Sequence, residues 1–141
     1  MNILFLCVAN SARSQMAEGL ALKIFGPSHT IQSAGSKPTH VSSHAIEVLK
    51  EIGIDISEQT SKAVEMVDPK SVDLVITLCE EEVCPTFLGS TKRIHWPLPD
   101  PARVSIAEPI DRLREFRVTR DKIKKNLENL SRDLDIKKNQ D

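Results

Sequence analysis

Tyrosine is absent from this chain of 141 residues, and aromatic residues make up only 4% of it. An excess of charge of one sign is also missing, because the net charge at pH 7 is −1. No apolar run approaches the roughly 20 residues that a membrane-spanning helix needs, and the N-terminus lacks the pattern of a secretory signal. We therefore expect a cytoplasmic protein that binds neither nucleic acid nor a membrane.

Cysteine is scarce and odd in number, since the chain has only Cys7, Cys79 and Cys84. A reducing compartment argues against a structural disulfide framework, so catalytic or redox thiols are the better interpretation. The length suits one hydrophobic core, and neither a repeat nor a low-complexity linker divides the chain. We expect a single catalytic domain over residues 1–135, a polar tail over residues 136–141, and a monomer.

The strongest pattern in the chain lies near its start. Residues 3–6 form a short apolar run typical of a buried strand, and a helical pattern begins near Arg13. Loop N–H groups above a helix N-terminus, together with an arginine, can hold a tetrahedral oxyanion. The predicted oxyanion-binding residues are Val8, Ala9, Asn10, Ser11, Ala12 and Arg13.

Cys7 follows this predicted strand, and two interpretations apply to it. A free cysteine is often a small, inert core residue. Arg13 favours a nucleophile instead, because arginine is a poor core residue and an anion-binding loop also stabilises a thiolate. Ser14 is either an ordinary first-turn helix residue or a hydroxyl that donates to the Cys7 sulfur and helps it leave. We predict that Cys7 is a nucleophile.

The rest of the chain alternates predicted strands and helices. This alternation predicts a single three-layer α/β domain, with a central parallel sheet of about four strands and helices on both faces. Ligands of such sheets bind outside the carboxyl ends of the strands, where Cys7, Cys79 and Asp100 would meet. The predicted elements are strands at 30–33, 72–78 and 93–96, a weak extended piece at 54–56, a helical turn at 63–66, and helices after Ser42 or Ser43 and from Ser105 onward.

Cys79 and Cys84 leave three interpretations open: a metal site, two incidental thiols, or a redox pair. With His95 they offer at most three zinc ligands, at no recognised spacing. A disulfide needs Cα atoms about 4.4–6.8 Å apart, whereas five residues of helix rise about 7.5 Å. A disulfide between these two cysteines therefore requires their segment to loop back rather than to form a regular helix.

Asp100 lies between Pro99 and Pro101. An aspartate beside proline is common in turns. The same residue on a stiffened loop could act as a general acid that protonates an oxygen leaving the anion. The residues alone do not separate these two interpretations.

The segment CVANSARSQMAEG from Cys7 to Gly19, with Asp100-Pro101 downstream, resembles the low-molecular-weight protein tyrosine phosphatase fold. Within that fold the chain is most similar to the thioredoxin-coupled arsenate reductases. The resemblance covers nearly the whole chain, and Cys79 and Cys84 carry the narrower assignment.

The resemblance implies that Cys7 attacks arsenate, while Arg13 and the loop amides hold the oxygens and Asp100 assists the departure of water. It also implies that Cys79 attacks Cys7 and releases arsenite. Cys84 then attacks Cys79, which moves the disulfide outward for reduction by thioredoxin or a related dithiol protein. We expect no tightly bound cofactor and no metal site in this chain.

The alternative function is a phosphatase for phosphotyrosine or a small phosphoester, which would need only Cys7, Arg13 and Asp100. The absence of tyrosine and the low aromatic content argue against it, because phosphotyrosine clefts are usually walled by aromatic rings. A protein that binds an oxyanion without turnover is a third possibility, but binding requires neither Asp100 nor two further thiols.

One departure from the family pattern concerns Lys62. Some family members hold a monovalent cation with positions that match Asn10, Glu18 and Ser33 plus an acidic side chain. Lys62 occupies the position that matches the acidic one. We expect its ammonium to pair with Glu18 in place of the cation, which would make activity insensitive to potassium.

Overall fold

The computed structural model describes residues 1–80, 87, 92–103 and 109–140. Four parallel strands form one sheet in the order β2-β1-β3-β4. Its strands are β1 (Asn2–Cys7), β2 (Thr30–Gly35), β3 (Leu74–Thr77) and β4 (Lys92–His95). The predicted parallel α/β architecture is confirmed.

The strand register gathers the carboxyl ends of the strands at one edge. Cys7, the last residue of β1, pairs with Gly35 at the end of β2. Leu6 pairs with Thr77 at the end of β3, and Thr77 in turn pairs with His95 at the end of β4. The segments that leave β1, β3 and β4 therefore start side by side.

Three α-helices connect and cover the sheet: α1 (Arg13–Phe25), α2 (Ser43–Lys50) and α3 (Pro109–Gln140). Gly26 has a φ of 69° just past α1, a conformation that suits glycine and ends the helix. Ser42 caps α2, because its Oγ accepts the N–H of Ala45 at 3.4 Å. In this structure α3 begins at Pro109 and continues into the predicted polar tail. Residues 104–108, where we expected its first turn, lie outside the described residues.

The two faces of the sheet are covered differently. Side chains such as Ile3, Phe5 and Ile76 point into a large core shared with the α-helices. Leu4, Leu6 and Val75 point to the opposite face. Among the described residues, single 3₁₀ turns at Val64–Met66 and Pro69–Ser71 flank that second face. The alternation of inward and outward side chains is that of strands buried on both faces.

Two sequence predictions for short segments had different outcomes. The helical turn predicted at residues 63–66 is confirmed as the 3₁₀ turn Val64–Met66. Residues 54–56, predicted as a weak extended piece, form neither a helix nor a strand of the sheet. Ile56 is instead buried beneath Gly19 of α1, where a Cβ at Gly19 would approach Ile56 Cγ2 to 2.5 Å.

An ion-pair cluster joins the C-terminus of α2 to α3. Arg117 donates to Glu51 from Nε and Nη2, with the shortest contact at 2.7 Å, and Arg120 also donates to Glu51, at 2.8 Å. The hydrogen bond from Arg117 lowers the pKa of Glu51 below its usual value of 4.5, with a further contribution from Arg120. Since the folded state lowers this pKa, the stabilisation is present above the unfolded pKa and is lost as pH falls through the folded value.

Among the described residues, no helix is both long enough and apolar enough to cross a membrane.

Candidate oxyanion site

Cys7 lies where the sequence predicts it, at the end of β1 and directly before the loop of residues 8–12. It is a free thiol, and only 2% of its surface is exposed. The first residue of α1 is Arg13, so the loop leads straight into a helix N-terminus. The N-cap residue is Ala12, whose methyl side chain offers no acceptor to the first N–H groups of the helix.

All five loop carbonyls accept hydrogen bonds from groups behind the loop. Because a peptide group is planar and trans, a carbonyl that faces outward leaves the N–H of the next residue facing the opposite way. The loop therefore directs its N–H groups inward, where an anion would lie. The donors are Lys37 N to Val8 O (2.9 Å), Thr39 N to Ala9 O (3.1 Å), Gln15 Nε2 to Asn10 O (3.0 Å), Ser42 N to Ser11 O (3.0 Å) and Met16 N to Ala12 O (2.9 Å).

Gly35 lets the end of β2 approach this loop closely. A Cβ at this position would lie 2.4 Å from Val8 O and 2.8 Å from Cys7 O. Both contacts are with backbone atoms, which cannot move aside as a flexible side chain would. The loop therefore requires glycine here for space.

A chain of hydrogen bonds leads from Glu18 to the Cys7 sulfur, and its direction follows from chemistry. Ser33 donates to Glu18 Oε1 (2.7 Å) and accepts from Asn10 Nδ2 (2.9 Å). The same amide nitrogen, which can only donate, contacts Ser14 Oγ at 2.7 Å. Ser14 Oγ is 2.8 Å from Cys7 Sγ. The serine hydroxyl therefore accepts from Asn10 and has its own proton to donate to the sulfur.

Lys62 lies at the far end of this chain. Its Nζ is 3.6 Å from Glu18 Oε1 and donates to Thr60 O at 2.9 Å. The ion pair expected from the sequence is present. An ammonium already stands beside this carboxylate, so the described residues do not fit a monovalent cation at the same position.

Arg13 is buried, with 5% of its surface exposed. Its Nη1 donates to Leu98 O at 2.9 Å and to Leu78 O at 3.4 Å. Leu78 directly precedes Cys79, and Leu98 lies two residues before Asp100. The guanidinium thus places positive charge beside the anion loop and holds the segments that carry both other predicted groups.

Cys79 is brought to the same edge as Cys7. It follows β3, and the N–H of the preceding residue, Leu78, donates to Leu6 O on β1 at 3.0 Å. Cys79 is 2% exposed and disulfide-bonded, in contrast to the free Cys7. Cys84, the third predicted thiol, lies outside the described residues.

Asp100 is half-buried on the loop after β4. Its Oδ1 accepts the N–H of Ala102 at 2.9 Å, which is the local turn contact expected for an aspartate beside proline. Arg103 donates to its backbone carbonyl from Nη1 at 3.0 Å and also contacts Glu115 of α3 at 3.4 Å. Arg103 therefore links this turn to α3.

Metal ligands do not cluster in the described part of the chain, where no group of three or more His, Cys, Asp or Glu side chains could hold an ion.

Sequence reasoning missed residues that support the loop from behind. The buried amide of Gln15 pairs with the half-buried amide of Gln59 beneath the loop, and Gly35 gives the loop space. Gln15 lies in the segment from Cys7 to Gly19 that carries the family resemblance. The signal available in the sequence was Gln15 itself, a polar residue in a helix whose buried face is expected to be apolar.

Comparisons with known proteins agree with this geometry. The model of the family described as low molecular weight phosphotyrosine protein phosphatase matches residues 2–140. An arsenate reductase of Halalkalibacterium halodurans is 42% identical over 127 residues, which is 89% of this chain and 91% of that protein.

Solved structures agree as well. A solved structure of an arsenate reductase in the oxidized state superposes with a TM-score of 0.79 at 33% identity, covering 94% of this chain and 97% of the other. The thioredoxin-dependent arsenate reductase of Corynebacterium glutamicum gives a TM-score of 0.74 at 25% identity, covering 96% of this chain and 62% of that one. The chain therefore belongs to the low molecular weight phosphotyrosine protein phosphatase family.

Proposed function

We propose that this protein reduces arsenate to arsenite, with Cys7 as the nucleophile and Cys79 and Cys84 as the thiols that pass the oxidising equivalents to an external dithiol protein such as thioredoxin. The observation that carries the proposal is the contrast between two buried cysteines at one edge of the sheet. Cys7 is a free thiol inside the anion loop, and Cys79, after the neighbouring strand, is disulfide-bonded. A phosphatase needs the first feature and has no use for the second.

The substrate is held as a tetrahedral oxyanion. The inward N–H groups of residues 9–13 and the guanidinium of Arg13 are the donors in this proposal. These groups are preorganised by the contacts behind the loop, so they need little rearrangement when the anion binds. Phosphate has the same shape and charge, and should compete.

The first step forms a bond between Cys7 sulfur and arsenic. The thiolate, stabilised by the Ser14 hydroxyl, attacks As(V), and one arsenate oxygen leaves as water with a proton from Asp100. The second step requires that the external dithiol protein has already reduced the Cys79 disulfide; the Cys79 thiolate then attacks Cys7 Sγ. The S–As bonding pair stays on arsenic, which becomes As(III) and leaves as arsenite, while Cys7 and Cys79 form a disulfide.

The third step regenerates the nucleophile. The Cys84 thiolate attacks Cys79 Sγ, which releases Cys7 as a thiolate and leaves a Cys79–Cys84 disulfide. Cys84 is the one remaining cysteine of the chain, so we propose it as the disulfide partner of Cys79. A dithiol protein then reduces this disulfide with two electrons. The name of the Corynebacterium glutamicum neighbour makes thioredoxin the first donor to test.

The test measures arsenite release and NADPH oxidation with thioredoxin and thioredoxin reductase, beside phosphoester hydrolysis. We expect the native chain to turn over many times, with one NADPH oxidised per arsenite. Cys84→Ser should release about one arsenite per chain and then stop with Cys7 and Cys79 cross-linked, because the disulfide cannot move outward.

Other outcomes would contradict the proposal. Continuous phosphoester hydrolysis that Cys84→Ser leaves unchanged, with no arsenite formed, would identify a phosphatase. Arsenate binding without product in either assay would identify an oxyanion-binding protein.

A further inference from the structure

Gln15 is a fully buried polar side chain that takes no part in the proposed chemistry. It lies in the first turn of α1, two residues after Arg13, and its exposure is 0%. A buried amide is costly unless its donors and acceptor are satisfied. Its partners therefore indicate why glutamine stands there.

The amide nitrogen of Gln15 faces the back of the anion loop. Nε2 is 3.0 Å from Asn10 O, 3.0 Å from Asn10 Oδ1 and 3.0 Å from Thr60 O. All three are oxygen acceptors, so the nitrogen, rather than the oxygen, must point this way. The other end, Oε1, accepts from Gln59 Nε2 at 2.8 Å. Gln59 also donates to the Gln15 backbone carbonyl at 3.1 Å, so the second amide keeps the first in orientation.

The Asn10 carbonyl differs from the other loop carbonyls in how it is held. Backbone N–H groups contact the carbonyls of Val8, Ala9, Ser11 and Ala12. Among the hydrogen bonds of the described residues, the only donor to Asn10 O is a side chain, that of Gln15. Asn10 also has a φ of 47°, a left-handed conformation that is uncommon outside glycine and that its surroundings must maintain.

The orientation of this one peptide decides where the next N–H points. The Asn10 carbonyl and the Ser11 N–H belong to the same planar, trans peptide and point in opposite directions. With the carbonyl drawn toward Gln15, the Ser11 N–H is turned toward the interior of the loop. The Asn10 side chain has its own hydrogen bonds, which would remain without that contact. The carbonyl, however, would have no donor among the described residues, and the peptide could then rotate and withdraw the N–H from the anion.

We propose that Gln15 is a positioning residue for oxyanion binding, which acts by holding the Asn10 peptide so that the Ser11 N–H faces the ligand, and that Gln59 supports it. The inference rests on the proposed function in one respect, that the loop binds a tetrahedral oxyanion. It adds a determinant of affinity that touches neither the ligand nor Cys7.

The test uses inorganic phosphate as the probe and reads binding without turnover. With the Cys79 disulfide intact, Cys7 is the reactive thiol, and phosphate should slow its alkylation by iodoacetamide in proportion to occupancy. We expect Gln15→Met, which is similar in size but donates nothing, to raise the phosphate Kd about 5- to 15-fold. Gln59→Met should raise it about 2- to 4-fold, since Gln15 remains but loses its support.

Gln32→Met is the matched control. Gln32 donates from its amide to Asn2 Oδ1 at 3.0 Å, at the amino end of the same sheet and away from the loop. The Gln32→Met variant loses a hydrogen bond of the same kind. Its Tm should therefore fall, while its phosphate Kd stays within 2-fold of the native value.

A purely structural role would give a different pattern. A folded Gln15→Met variant with a lowered Tm and a native phosphate Kd would overturn the proposal. If Gln15→Met does not fold, Gln59→Met decides, and an unchanged Kd there would equally overturn it. The proposed reduction fails separately: native protein that binds phosphate but releases no arsenite would refute the reaction and leave the positioning role standing.

Discussion

Two loops leave the same edge of the sheet and are held in different ways. The loop of residues 8–12 has every carbonyl tied to a donor behind it, in α1 or in residues 37–42. The loop of residues 97–103 is anchored at its start, where Leu98 N–H donates to Leu78 O at 3.2 Å. At its tip, Asp100 is contacted mainly by its own turn, through Ala102 and Arg103.

The difference matches the two tasks we assign to these loops. A loop that binds an anion through N–H groups gains affinity from being rigid before the ligand arrives. A loop that presents one acid needs only to place a carboxyl group, and a short turn can do that. Changes in the first loop should therefore alter binding and stability together, while a change at Asp100 should alter rate alone.

The largest expected effect tests the second loop. Asp100→Asn should lower kcat for arsenite release about 10²- to 10⁴-fold, because the amide cannot protonate the departing oxygen. Its Oδ1 can still accept the Ala102 N–H, so the Tm and the phosphate Kd should stay close to native. Steady-state kinetics and thermal unfolding measure both. A kcat within about 3-fold of native would leave Asp100 as a turn residue only.

The next largest effect is expected from a substitution that disturbs the packing behind the first loop. Gly35→Ala places a methyl group 2.4 Å from Val8 O, so strand or loop must move, at a cost of about 1–3 kcal/mol. We expect a lower Tm and a phosphate Kd raised about 10-fold or more, measured by calorimetry. Gly53→Ala is the control, because its φ of 81° makes alanine strained although nothing lies within 4 Å. That variant should lose stability but keep its affinity, and equal affinities in both would contradict the close-approach argument.

The smallest effect concerns the ion pair behind the loop. Replacing sodium by potassium should change native activity less than 2-fold, because the Lys62 ammonium already neutralises Glu18. Lys62→Ala should cost about 2- to 5-fold in kcat/KM, as a partly exposed ion pair contributes modestly, and potassium should restore part of this loss. Lys70→Ala, on an exposed 3₁₀ turn, is the control. Strong potassium activation of both native protein and Lys62→Ala would refute the substitution of cation by ammonium.

The sequence predicts well what is local or follows from sheet topology. The strand, loop and helix around Cys7 are contiguous, so periodicity and spacing suffice to place them. Cys79 and Asp100 come to the same edge because parallel strands share their direction.

The supports of the anion loop depend on tertiary contacts that no local pattern encodes. Gln15 meets Gln59 and Thr60 across 44 and 45 residues of sequence. The space needed at Gly35 depends on the path of another loop. Ile56 illustrates the same limit, because its burial beneath Gly19 of α1 is a tertiary contact that the apolar pattern of residues 54–56 does not encode.

Arg13 has a consequence for how variants at this site are interpreted. Its guanidinium joins the segments that lead to Cys79 and Asp100 through the carbonyls of Leu78 and Leu98. An Arg13→Lys protein keeps a positive charge but loses the guanidinium whose Nη1 contacts both carbonyls. A loss of activity in such a protein would therefore have two causes: weaker binding of the anion, and weaker contacts between Arg13 and the segments that lead to Cys79 and Asp100. Separating these causes requires a binding measurement beside the kinetics.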